Sequence, residues 1–67
     1  MTRGERFAQA RKERGYSQKQ ASVLSCIACS TIKTLESEEY SDPKYYTVAA
    51  LADLYEVDMR WLMEGKE

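Results

Sequence analysis

The chain has 67 residues, ten Lys or Arg against eleven Asp or Glu, no histidine, 43% hydrophobic residues and 31% charged ones. A domain this small buries only about 60% of the surface its unfolded form exposes, which leaves little room for a deep catalytic cleft and favours binding over enzymatic work. Without histidine the usual general base and the commonest metal ligand are missing, and no apolar run approaches the roughly 18 residues needed to span a membrane.

Thr2 followed by Glu5 makes a capping box, and the run from Arg3 to Arg14 meets no breaker before Gly15, a residue suited to the left-handed conformation after a helix. Phe7, Ala10, Arg11 and Arg14 share one face of this first helix, a thin inward stripe with a guanidinium near its centre. Such an Arg needs a carboxylate partner. Ser17, with Gln20 three residues on, caps a second helix from Gln18 to Leu24 or Ser25, with Ala21 and Val23 or Leu24 expected to face inward. A tight turn at Cys26-Ile27-Ala28-Cys29 leads into a third helix, about Cys29 to Leu35, seated by Ile32 and Leu35.

Ser37 to Pro43 reads as a polar loop. Helix four is predicted from Lys44 or Tyr45 to Tyr55, with Tyr45, Val48, Leu51, Ala52 and Tyr55 at core spacing; Asp58 then caps a short fifth helix, Met59 to Glu64, before Gly65. Period-two alternation is absent, so the expected fold is a compact all-α bundle of five helices in one domain, residues 1–67.

Charge is divided along the chain. Residues 1–34 hold seven Lys or Arg against two Glu, and residues 35–67 hold three against nine acids, so a face built from the first half attracts a polyanion that the second half repels. Met1-Thr2-Arg3-Gly4 has no signal-peptide character, and the chain is expected in the cytoplasm with its two cysteines as thiols.

Taken together, Arg11, Gly15-Tyr16-Ser17-Gln18, Ile32, Glu36, Pro43 and Val57-Asp58 through Trp61-Leu62 resemble the Cro and phage-repressor family (lambda repressor-like, XRE-type) of helix-turn-helix DNA-binding domains, over nearly the whole chain. The resemblance implies a five-helix lambda repressor-like fold and a small regulator, phage-derived or bacterial, associated with the nucleoid of a bacterial host cell. It implies binding to a double-stranded DNA operator of two-fold symmetry as a homodimer, formed either free or only on the DNA, with half-sites about one helical turn apart. Carried onto this chain, it makes Arg11 and Glu36 a structural ion pair and assigns DNA contacts to Gln18, Lys19, Ala28, Cys29, Ser30, Lys33, Thr34, Tyr40 and Lys44. Val57, Met59, Arg60 and Met63 become the dimer interface, unless Met59 and Met63 merely finish the core. No cofactor or metal is implied.

The chain departs from the family where Cys26 and Glu56 replace glycines, Ala28 replaces a capping residue and Ser22 replaces alanine. The readers at Cys29, Ser30 and Thr34 make no bidentate base contact, so discrimination is expected to lean on Lys33, Gln18 and DNA shape. Glu38, Glu39 and Asp42 in the loop after the third helix oppose a phosphate backbone, so modest affinity with a shallow salt dependence is expected.

Other readings compete. Cys26-x-x-Cys29 has the spacing of a redox pair or half a zinc site, but no second Cys pair or His exists to complete one. Of the five tyrosines, Tyr16, Tyr45 and Tyr55 are expected to pack, whereas Tyr40 and Tyr46 are left for a partner. Arg3, Arg6, Lys12 and Arg14 read as solvated charge or phosphate contacts, with Lys19 ahead of them. The acidic loop also suits a helix-turn-helix fold turned to binding a protein partner, antirepressor- or antitoxin-like.

Overall fold

A computed structural model describes residues 1–37 and 43–65. Among them run five helices and no strand: α1 (Arg3–Glu13), α2 (Gln18–Ser25), α3 (Cys29–Glu36), α4 (Tyr45–Tyr55) and α5 (Met59–Glu64). Three of the helix starts, those of α1, α2 and α5, are capped by a side chain. The Thr2 hydroxyl accepts from the Glu5 amide at 3.2 Å, and the Glu5 carboxylate accepts from the Thr2 amide at 2.9 Å. Those bonds hold the Glu5 carboxyl below its ordinary range, backbone contact first and hydroxyl second. Ser17 and Gln20 repeat the box at α2. At α5 the Asp58 carboxylate accepts from the amides of Arg60 and Trp61 at 2.7 and 3.4 Å. Gly15 ends α1 at φ 77°, where it folds back so that the Tyr16 amide reaches the Arg11 carbonyl at 3.2 Å.

The core is Phe7 and Ala10 from α1, Ala21 from α2, Ile32 and Leu35 from α3, Val48, Leu51, Ala52 and Tyr55 from α4, and Leu62 from α5. Around it α1 packs on α3 and α5, α2 on α3 and α4, and α4 on α5. The α2–α3 unit is thereby clamped between α1 and α4, which fixes its outward face.

Several expected positions change. Val23 and Leu24 do not face inward: they are 71% and 56% exposed, and the inner face of α2 belongs to Ala21, flanked by the half-buried Ser22 and Ser25. Small residues there let α3 approach closely. Tyr45 is 75% exposed because it opens α4, beyond the end of the core, and Thr47 is buried two residues further in. Tyr16 is half-buried against the core. Arg14 follows α1 and is exposed, paired with Glu56 across the surface.

Arg6 is the larger correction, since it is buried and tracks no phosphate. Its Nε and Nη2 donate to the carbonyls of Leu62 and Met63 at 3.0 Å each, and Nη1 donates to the Met1 carbonyl at 2.9 Å. A cation thus sits on the negative end of α5 and ties that helix to α1 and the N-terminus.

Candidate nucleic-acid interface

The turn between α2 and α3 is held by side chains as well as backbone. Cys26 takes the left-handed conformation at φ 63°, ψ 22°, the Ser22 hydroxyl donates to the Ile27 carbonyl at 2.6 Å, and the Ser25 oxygen accepts from the Ile27 amide at 3.2 Å. Ala28 then adopts an extended conformation and begins α3 with no side chain capping it. The first amides of α3 therefore face outward without a cap, at the positive end of the helix, which is an arrangement suited to a phosphate or another anion.

The far end of α3 is locked. Glu36 receives Arg11 in a two-pronged pair, Nε to Oε2 at 2.7 Å and Nη2 to Oε1 at 3.0 Å, with both side chains about nine-tenths buried. Arg11 also donates through Nη1 to the Tyr16 carbonyl at 2.7 Å. The Glu36 hydrogen bond, opposed by desolvation, raises the Arg11 pKa above its ordinary value. Gln18 joins the cluster, donating from Nε2 to Glu36 Oε1 at 3.0 Å. Tyr55 lies under it with its hydroxyl buried and unpartnered among the described residues. Burial, reinforced by the Glu36 charge and opposed by that of Arg11, pushes the phenol up to about 12.

Between these ends, the exposed Ser30 and Lys33 and the half-buried Thr34 lie on the side of α3 opposite Ile32 and Leu35, while the half-buried Cys29 lies on its flank, one turn before Ile32. Thr34 donates its hydroxyl proton to the Ser30 carbonyl at 2.8 Å, so it meets a ligand through its oxygen and methyl. Lys19 is exposed in the first turn of α2, where the capping box satisfies Gln20 but not the amides of Gln18 and Lys19. Gln18 spends one proton of its side-chain amide on Glu36 and keeps the other, with its carbonyl oxygen and backbone amide, for a ligand. Lys44 is exposed, with its ammonium 5.8 Å from the Tyr46 ring centroid. Tyr40, and the acids Glu38, Glu39 and Asp42, lie outside the described residues.

On the opposite side, Val57, Met59 and Met63 are half-buried against the core, and Arg60 is exposed 4.0 Å from Glu64. Met59 and Met63 thus both finish the core and leave surface uncovered. Cys26 is an exposed free thiol and Cys29 a half-buried one, and no group of three or more metal-ligating residues forms among the described residues. No helix there is long and apolar enough to cross a membrane.

Three features had no distinct signal in the sequence. Arg6 lies on the flank of the α1 stripe and reads as surface. Tyr45, at core spacing, stands exposed beside Lys44, next to a Tyr46 expected to be exposed. Tyr16, Lys19, Val23 and Leu24 line a shallow, mostly apolar groove on α2. The family model of a helix-turn-helix domain matches residues 4–67. No curated protein and no solved structure matches the chain.

Proposed function

The chain belongs to the helix-turn-helix family of the XRE/Cro-CI type, and from that premise we propose that it is a Cro-like transcriptional repressor that binds a two-fold DNA operator as a dimer. One observation carries the reading. The helix α3 is locked at its C-terminus by Arg11, Glu36 and Gln18, while its N-terminus is uncapped and its outer face bears Ser30, Lys33 and Thr34. A rigid helix offering free amides to phosphate and small polar side chains to base edges is the equipment of major-groove reading. The amides opening α2, with Lys19, and Lys44 at the start of α4 add positive contacts on either flank. Val57, Met59, Arg60 and Met63 supply the dimer surface.

The test is selection from random-sequence DNA at two salt concentrations. An enriched palindrome with half-sites about one helical turn apart is expected, and affinity falling by less than the about 10³-fold seen for proteins with many phosphate contacts. On the selected site, Lys33→Ala and Thr34→Ala weaken specific binding and leave thermal stability nearly unchanged. No enriched palindrome at low salt removes the operator reading, and equal loss of folding in both variants removes the assignment of α3 as the reader.

A second reading, a protein-binding module, draws on the exposed Val23 and Leu24 beside Tyr16, an apolar patch that DNA binding leaves unused. It predicts a chain that selects no DNA and loses its partner when Val23 and Leu24 become Ser.

A further inference from the structure

Away from α3, Glu13 of α1 and Val57, Asp58 and Trp61 at the α4–α5 corner line an open notch of about 240 Å³. Its walls come from two parts of the chain far apart in sequence and combine two carboxylates with an indole and a valine. Glu13 accepts through one oxygen from Gln9 at 3.2 Å, and Asp58 uses one oxygen to cap α5. The second oxygen of each is engaged by no hydrogen bond among the described residues, and no cation lines the notch.

Carboxylates beside an indole suit a guanidinium, which is planar, weakly hydrated, able to stack on an aromatic ring and to meet a carboxylate with paired donors. The same short helix carries such a group. Arg60 is exposed and, among the described residues, held only by a surface contact to Glu64, 4.0 Å away and one turn on, and it is not among the residues lining the notch. Val57 in the notch, and Met59 and Met63 on the same short helix as Arg60, are half-buried and leave partly uncovered apolar surface. A two-fold interface sets one surface against itself, so a self-complementary patch must carry both the plug and the socket, and this one does.

We propose that a second copy of this chain fills the notch, the partner's Arg60 entering between Glu13, Asp58 and Trp61, with the same contact repeated on the other side of the two-fold axis. This deepens the dimer reading above and rests on it. The charge pairs fix orientation and partner, while the apolar surface around them supplies the burial.

Sedimentation equilibrium tests it on the free chain and on the chain bound to its selected DNA. Wild type is expected to dimerise in at least one setting, and Arg60→Glu or Glu13→Lys each raise the dimer dissociation constant about ten-fold or more, since each replaces attraction by repulsion twice per dimer. Both positions are exposed, and circular dichroism should return wild-type melting. Combining Glu13→Lys with Arg60→Glu restores the attraction at position 13 with its signs exchanged while Asp58 keeps its charge, so the dissociation constant moves part of the way back toward that of wild type. A dimer that ignores both single substitutions, or a double variant as weak as the sum of the two, overturns the notch and leaves the dimer standing. A chain monomeric in both settings overturns the dimer itself.

Discussion

Arg11→Ala tests the linkage between folding and the placement of α3. The substitution removes three hydrogen bonds, two to Glu36 and one to the Tyr16 carbonyl, and leaves the Glu36 carboxylate about nine-tenths buried with Gln18 as its one side-chain donor among the described residues. Breaking a buried pair in this way costs about 3 to 5 kcal/mol, because the remaining charge is stranded. A chain of 67 residues has a total stability of roughly 3 to 10 kcal/mol, so the variant is expected to lose a third or more of it. For a domain of this size the loss appears as a fall in Tm of at least about 12 °C. Urea melts followed by circular dichroism and by Trp61 fluorescence measure it. Arg11→Met with Glu36→Met should recover much of the loss, since no charge remains buried, although Gln18 and the Tyr16 carbonyl then lack their partner. A single substitution costing under 1 kcal/mol, or a double one no better than the single, would mean that the pair is screened by solvent and does not hold α3.

Tyr55→Phe should stabilise the protein, because it deletes a buried hydroxyl with no partner among the described residues, and about 1 kcal/mol is the expected gain. The same residue sets the alkaline limit. A phenol pushed up to about 12 when folded keeps its proton while the unfolded chain, near 10, has lost it, so stability is full below pH 10 and falls as pH rises to 12. The loss approaches about 2 to 3 kcal/mol in wild type, and its disappearance in Tyr55→Phe, read from urea midpoints against pH, checks the assignment. Cys26→Gly should gain about 1 kcal/mol by relieving a side chain at φ 63°, and a variant no more stable than wild type would show that the turn accommodates Cβ without strain. Ala28→Ser supplies the missing cap of α3 and is expected to raise stability by about 1 kcal/mol, with an unchanged melting curve counting against it.

The parts of this fold that were legible in the sequence are those set by neighbouring residues. Thr2, Ser17 and Asp58 cap as their spacing requires, and Gly15, Cys26 and Glu56 adopt the left-handed conformation after their helices whether or not they are glycine. The Arg11–Glu36 pair came from the resemblance, but an inward guanidinium already called for it. Faces were harder to read. In a helix of two turns such as α2, apolar residues on different sides satisfy the three-and-four spacing equally, and packing against α3 and α4 selected Ala21 over Val23 and Leu24. Tyr45 has the right period but sits where α4 projects past the core. Arg6 was invisible for a different reason: its partners are carbonyls at the end of α5, and backbone acceptors leave no trace in residue identity.

The two ends of α3 explain how the weak set of base readers proposed for it forms a defined site. An acid at a helix C-terminus opposes the macrodipole by about 0.3 to 1 kcal/mol, so Glu36 is poorly placed for the helix alone, and only the buried pair with Arg11 outweighs that penalty. The N-terminus is arranged the other way, with Ala28 offering no cap and no acid in the first turn of α3. Stability is thus concentrated at the end of α3 that Arg11 and Gln18 hold, and the amides left uncapped are at the other end, beside the turn from α2. A phosphate bound there would gain the amides that a serine cap would otherwise occupy. Because Gln18 bonds to the same carboxylate as Arg11, the N-terminus of α2 is held in register with α3 by the interaction that stabilises the fold. The spacing of the two positive helix ends is therefore a property of the core, and substitutions that loosen Arg11 or Glu36 should blur DNA recognition before they touch any residue that contacts DNA.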